Sequence, residues 1–307
     1  MKYLLKQIGS LIVVLIISSI LVFLMIHIIP GDPAEMIAPL GASADEIEAI
    51  REKLGLNRPL ISQYLDWISN IVFHFDFGES LYTGTAITSY IGPKILNTFL
   101  LAVCGIVFAV LLGIPFGIIS ALKQNSVFDL CGMVISIFGV SIPIFWLGLL
   151  LIMLFSVQLG WLPPTGGGSF ITLILPSITI GLNSMAVIAR MTRSSMLEVL
   201  RQDYIRTAEA KGLAYYKIIF KHTLKNAMIP IITTIGIQFG YLMGGAVLTE
   251  TVFVYPGVGR LIVDSILRRD YPTIQACLLL LTVMFVVINT LTDIAYRFFD
   301  PRIKENS

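Results

Sequence analysis

Charge is scarce in this sequence: Asp, Glu, Lys and Arg make up 13% of its 307 residues, about half the share usual in a soluble domain. That composition excludes an ordinary soluble enzyme. A net charge of +2 gives no electrostatic reason to expect a nucleic-acid partner. Cysteine is nearly absent, and Cys104, Cys131 and Cys277 each lie in or beside an apolar run without metal-ligand spacing. They read as small hydrophobes, neither disulfides nor ligands. His27, His74 and His222 are too scattered to share one metal. No G-x-x-x-x-G-K-[ST] occurs, so the chain cannot cradle ATP phosphates in a P-loop. H-E-x-x-H and G-x-S-x-G are missing too, and no paired carboxylates fall inside the apolar runs. The glycines of 159–168 follow no strand and make no phosphate loop. The sequence therefore offers no catalytic residue, and no cofactor or metal of its own.

What it has is apolar length. A hydrocarbon core about 30 Å thick needs roughly 20 apolar residues in a helix. Six runs reach or approach that length, at 8–29, 99–122, 130–157, 171–189, 228–248 and 274–294. The first is longer than a signal-peptide core, ends in Ile28-Ile29-Pro30-Gly31-Asp32-Pro33 and shows no small-residue cleavage site, so it reads as a retained span. The expected fold is all-α and polytopic, with six transmembrane helices in the lipid bilayer and both termini cytoplasmic. Basic residues support that orientation: Lys2, Lys6, Lys123, Arg297, Arg302 and Lys304 all fall on the inner side. Acidic residues concentrate in the outward segments. The expected division is 1–93, a first span with an extracytoplasmic helical segment; 94–297, the transmembrane domain; and 298–307, a cytoplasmic tail.

The long outward segment carries its own helix signals. Ser43 followed by Glu46 reads as a capping box, and Ile47, Ile50 and Leu54 then form a stripe that ends at Gly55. Ile61, Tyr64, Leu65, Ile68 and Val72 make a second stripe. These helices read either as a packed cap or interfacial layer, or as a surface for an outer partner.

Polar residues inside the runs are the candidates for a translocation path. Ser136, Ser141 and Trp146 flank Pro143, which removes a backbone donor and marks a kink or a break lining a cavity. Asn183 and Ser184 sit near the middle of the fourth run, where an unpartnered polar group is costly. In the fifth, Gly236, Gly240 and Gly244 recur at steps of four and suit close helix packing, with Gln238 and Tyr241 off that stripe. Glu250 at its outer end reads either as an interfacial charge or as a mouth group near Arg260. Ser141, Asn183, Ser184, Gln238, Tyr241 and Glu250 are thus the path candidates.

The interval 190–226 is different in kind. Arg190, Arg193, Arg201, Arg206, Lys211, Lys217, Lys221 and Lys225 face only Glu198, Asp203 and Glu209, which places it in the cytoplasm. Met196, Leu197 and Leu200, then Tyr215, Ile218, Ile219 and Phe220, fall at helical spacing. Two short amphipathic helices with a corner at Gly212 are expected, the glycine taking a left-handed backbone.

AEAKG at 208–212 with Leu224 downstream resembles the EAA loop of binding-protein-dependent ABC importer permeases. The longer DYIRTAEAKG and HTLKNAMIP look like the dipeptide, oligopeptide and nickel branch. Of the general pattern the chain keeps Ala208, Gly212 and Leu224. It has Arg206 for Glu, Thr207 for Ala, His222 for Ile and Lys225 for Pro. GDPA at 31–34, TETVFVYPGVGR at 249–260, DYPTIQA at 270–276 and DPRIK at 300–304 extend the likeness over nearly the whole chain. The resemblance implies a sister permease subunit, two cytoplasmic ATPase subunits that hold ATP and magnesium, and an extracytoplasmic substrate-binding protein. It also implies that Ala208, Glu209, Ala210, Lys211, Gly212, Tyr215 and Leu224 couple the spans to the ATPases. Di- or oligopeptides are the implied cargo, with nickel, glutathione or another small solute as alternatives. An intramembrane enzyme would need a catalytic pair within the spans, and a gradient-driven transporter favours inverted repeats. Neither is found in the sequence.

Overall fold

The computed structural model describes residues 2–28, 34, 35, 38, 41–53 and 55–299. The side chains of Lys2, Lys6, His27, Cys131, Ser136, Asp293, Tyr296 and Arg297, residue Leu54, and the stretches 31–33 and 300–307 lie outside the described residues. Helices run in the order α1 (Lys2–Ile28), α2 (Ala44–Lys53), α3 (Leu60–His74), α4 (Thr88–Leu122), α5 (Val127–Ser141) and α6 (Ile144–Leu151, extended by a π-helical stretch Ile152–Gln158). They continue with α7 (Phe170–Leu200), α8 (Asp203–Ala210), α9 (Tyr215–Val252), α10 (Val258–Leu267) and α11 (Tyr271–Phe299). Among the described residues there is no strand, only an isolated bridge between Glu79 and Ala86.

Four of these helices, α4, α7, α9 and α11, are long and apolar enough to cross a membrane, α11 by its portion Tyr271–Thr292. Gly9–Met25 within α1 is a shorter apolar helix by the same measure. The third expected run is not one helix. Ile142 is extended at ψ 125° and Pro143 at ψ 132°, so α5 stops and α6 restarts beyond the proline. The ring disfavours a helical residue before it and removes a donor within it, which turns the expected kink into a break.

The chain forms two compact units. One comprises 3–96 with 257–286, the other 97–256 with 287–307. In the first, Phe23 of α1 is buried against Tyr64 (5.5 Å, edge-on) and Trp67 (5.9 Å) of α3, and Ser19 Oγ pairs with Tyr64 Oη at 2.8 Å. The opposite stripe of α3, with Ile61, Leu65 and Val72, is exposed. Ile87, Ile91, Val258, Ile262, Ala276 and Cys277 make this unit's core. The buried Asp270 accepts from Ser80 Oγ (2.6 Å), Leu81 N (3.0 Å) and Thr273 Oγ1 (2.7 Å), pinning the 80–81 turn to the start of α11. The Ser43–Glu46 capping box forms in both directions: Ser43 N donates to Glu46 Oε2 at 2.8 Å and Glu46 N to Ser43 Oγ at 3.3 Å. These bonds hold the Glu46 carboxyl below its usual range.

In the second unit α4 approaches α7 closely through glycines. A Cβ on Gly117 would stand 2.5 Å from Thr192 Cβ and 2.6 Å from Ala189 O. One on Gly181 would meet Gly105 O at 2.6 Å, and one on Gly113 would meet Met185 O at 2.9 Å. Lipid tails are as apolar as the side chains they would replace, so such close backbone approach supplies the packing that holds membrane helices together. Gly113 and Gly117 make a G-x-x-x-G pair, and Gly105 lies eight residues before Gly113. The stripe singled out in the sequence is only partly used within this chain. Gly236 and Gly240 are buried, Gly236 so closely that a Cβ would fall 1.7 Å from Thr292 Cγ2 of α11. Gly244 is exposed with nothing within 4 Å of that position. Continuous drift of a 3.6-residue helix across a four-residue repeat carries its last member off the contact.

Candidate functional site

The basic interval folds into a corner set on a small apolar base. Ile205 and Ala208 of α8 are buried with Ile218 of α9, and Val199 of α7 packs against them. Gly212 takes φ +73°. Its N–H returns to Glu209 O at 2.9 Å, and the Leu213 N–H returns to Ala208 O at 3.3 Å, so the last carbonyls of α8 are satisfied by the turn. Beyond it, the second expected helix is not a separate short one. It is the first part of α9, which runs unbroken from Tyr215 into the fifth apolar run through a π-helical stretch at Ile218–Leu224. No glycine or proline stands between 213 and 229 to end it, and the polar N-terminal part simply extends the apolar helix.

The corner sorts the seven coupling candidates. Glu209, Ala210, Lys211, Gly212 and Tyr215 are exposed on it. Ala208 is not a surface group: it is buried beneath the corner with Ile205 and Ile218. Leu224 is half-buried against the cluster of Ala121, Met196, Ile219, Ala227 and Ile231. Both serve to seat the corner, because an alanine and a leucine on the inner face of an amphipathic segment bury toward the body. Leu213 and Tyr216, not singled out from the sequence, are exposed with Tyr215 and make the corner aromatic as well as charged, and Phe220, read there as part of the apolar stripe, is exposed too. Asn226 Nδ2 donates to Tyr204 Oη (3.1 Å) and to His222 O (2.7 Å), tying α8 to the base of α9.

The six path candidates differ in exposure. Ser141, at the end of α5, and Tyr241, on α9, are exposed. Asn183 is half-buried, its Nδ2 donating to Gly139 O at 3.5 Å across α7 and α5. Ser184 and Gln238 are buried, Ser184 completely, with no partner for its hydroxyl among the described residues. Glu250 is also completely buried. Thr98 Oγ1 of α4 donates to its Oε1 at 2.5 Å. The turn that follows closes over it. Tyr255 N donates to Glu250 O at 2.8 Å, and Val254 is held at φ +52°, a strained backbone for a β-branched residue. Tyr255 is itself buried; that burial, then the nearby Glu250 and Cys104, push its phenol up to about 12. Arg260 pairs with Asp264 at 3.7 Å within α10.

Glu250→Ala removes the acceptor of the Thr98 hydroxyl in a buried place, and a loss of about 1–3 kcal/mol is expected. Thermal unfolding of the purified subunit in detergent measures it. Glu250→Gln, which keeps an acceptor, should fall between the two; an unchanged midpoint for the alanine variant would show that the pair does not hold α4 to α9.

Two family models cover most of the chain. The binding-protein-dependent transport system inner membrane component matches residues 113–305, and the corresponding N-terminal membrane component matches 1–86. The glutathione transport system permease protein GsiC of Pectobacterium atrosepticum is 44% identical over 304 residues, 99% of each chain. Its namesake from Escherichia coli strain K12 is 45% identical over the same length and coverage. Among solved structures, the inward-facing MetNI methionine ABC transporter aligns with a TM-score of 0.59 at 18% identity, over 70% of this chain and 98% of that one, a likeness of fold. With its apolar helices and its exposed basic corner, the chain belongs to the inner-membrane permease components of binding-protein-dependent ABC importers.

Proposed function

We propose that the chain crosses the inner membrane six times, by α1, α4, the broken pair α5 and α6, α7, α9 and α11, with both termini cytoplasmic. Together with a sister permease subunit it forms the path by which short peptides enter the cell. The observation that carries this reading is the exposed corner at 209–216, charged and aromatic, turned by a left-handed Gly212 and seated on buried Ala208 and Ile218. A rigid, protruding corner of that kind suits a groove in a soluble partner. In this reading two cytoplasmic ATPase subunits hold ATP and magnesium and grip Glu209, Lys211, Gly212 and Tyr215, while Ala208 and Leu224 transmit the push to α7 and α9. A binding protein delivers substrate from outside. Residues 94–297 make up the permease part, 1–93 the first span with its outer helical segment, and 298–307 a cytoplasmic tail. Ser141, Asn183 and Tyr241 face the path, and Ser184, Gln238 and Glu250 support it from behind.

Alternating access follows from linked rigid bodies. Closure of the ATPases moves the corner, the corner moves the helices it is seated on, and the path changes the side to which it opens. For cargo, the name shared by the two relatives makes glutathione, a tripeptide, the first peptide to test. The decisive measurement is uptake into proteoliposomes holding this chain, its sister subunit, both ATPases and the binding protein. ATP-dependent uptake of glutathione or a dipeptide is expected. Nickel uptake without peptide uptake would move the substrate to a metal chelate. Uptake driven by an ion gradient without ATP would overturn the reading.

A further inference from the structure

One buried charge lies outside everything assigned above. Asp129, in the first turn of α5, is completely buried. Arg193 of α7 grips it as a fork, Nε to Oδ1 at 2.6 Å and Nη2 to Oδ2 at 2.7 Å. Ser120 Oγ, from the last turn of α4, donates to Oδ1 as well, and Asn125 N, from the intervening turn, donates to Oδ2 at 3.0 Å. Each carboxylate oxygen thus has two donors, and three separate pieces of chain converge on one side chain. A buried ion pair is a poor source of net stability, since desolvation offsets most of its attraction. A planar two-point fork is a good source of register, because it fixes orientation as well as distance.

The placement of that register is informative. Arg193 is two turns from the end of α7, which leads through Arg201 and Gln202 into α8. Val199 on the same helix touches the apolar base of the corner. At its other end, α5 runs to the break at Ile142–Pro143. Past the break, α6 lies against both α9 and α7: a Cβ on Gly148 would come within 3.1 Å of Phe253 and 3.2 Å of Val252, at the far end of α9, and within 3.5 Å of Thr179 on α7. The fork therefore joins the half of the broken span nearer the corner to the helix that carries the corner. The other half packs on α9 as well as on α7, and an extended dipeptide separates the two halves.

We propose that Asp129 and Arg193 are positioning residues for transport. They make α5 move with α7 when the corner is pushed. The inference rests on the ATPase-driven reading given above.

The test uses the whole reconstituted transporter. If the unmodified complex shows no ATP-driven uptake, the functional reading itself fails, whatever the variants do. Where uptake is present, Asp129→Asn and Arg193→Lys are expected to keep ATP hydrolysis and complex yield within about two-fold while uptake falls about ten-fold or more. Arg190→Gln, an exposed basic residue on the same helix, should leave both unchanged. Parallel loss of hydrolysis, yield and uptake would reduce the pair to a structural brace, and unchanged uptake would overturn the proposal. A second measurement avoids altering the pair. Spin labels at Phe128→Cys and Arg201→Cys, both exposed, report the separation of α5 from the end of α7. It should stay constant to within about 2 Å between the nucleotide-free and ATP-bound states if the two helices travel as one body. A change of about 5 Å or more would sink the idea.

Discussion

Gly212→Pro should abolish uptake while leaving the subunit in the membrane. The residue sits at φ +73°, and proline is locked near −65°. Proline also lacks the N–H that Gly212 donates to Glu209 O. The corner cannot form around it, and a local cost of about 3 kcal/mol or more lowers the population of the native corner by about two orders of magnitude. Insertion depends on the apolar helices, which the substitution does not touch. Gly212→Ala separates the two causes. Nothing lies within 4 Å of the added Cβ, so only the left-handed backbone is strained. That strain is about 1–2 kcal/mol, roughly a ten-fold effect. Paired assays of ATP hydrolysis and uptake in proteoliposomes read the series. A proline variant with normal, coupled uptake would remove the corner from the mechanism.

The second large effect concerns the fold. Gly117→Leu should prevent recovery of a monodisperse, folded subunit. The Cβ alone would lie 2.5 Å from Thr192 Cβ and 2.6 Å from the carbonyl oxygen of Ala189, and the second of these is backbone that cannot rotate away. α4 and α7 would have to separate, losing the contacts at Gly113 and Gly181 together with that at Gly117. Overpacking in a well-fitted interior costs about 1–3 kcal/mol, and loss of a whole helix seam costs more. Gly244→Leu is the matched control, since its position is open and exposed in this subunit. Size-exclusion profiles and thermal unfolding compare the two. Equal behaviour would mean that the α4–α7 seam does not hold the subunit together. If Gly244→Leu folds yet fails to join the sister subunit, the exposed end of the stripe belongs to that interface.

Some of this was legible in the residues and some was not, and the division has a physical cause. Features written in short-range order could be read directly. The Ser43–Glu46 cap, the left-handed Gly212 and the interruption at Pro143 depend on residues within one or two turns. The apolar runs needed only composition over a helix length. Where local signals misled, a longer-range fact overrode them. The polar stretch after Gly212 looked like a short helix of its own because its pattern changes at Leu224, but hydrogen bonding follows the backbone and continues into the apolar part. Ala208 matched a family pattern, and its burial was decided by where Ile218 comes to lie.

Buried partners are the clearest case. Asp129 and Arg193 are separated by 64 positions, and Thr98 and Glu250 by 152. Nothing near Glu250 in sequence announces a threonine on another helix, and Arg193 was indistinguishable from the other basic residues of its loop. The sequence by itself determined the membrane class, the positions of the apolar helices, the break and the corner, because each is a property of consecutive residues and their periodicity. The tertiary structure alone decided which glycines meet, which charges are hidden and which polar groups pair, because those depend on which faces distant helices turn toward each other.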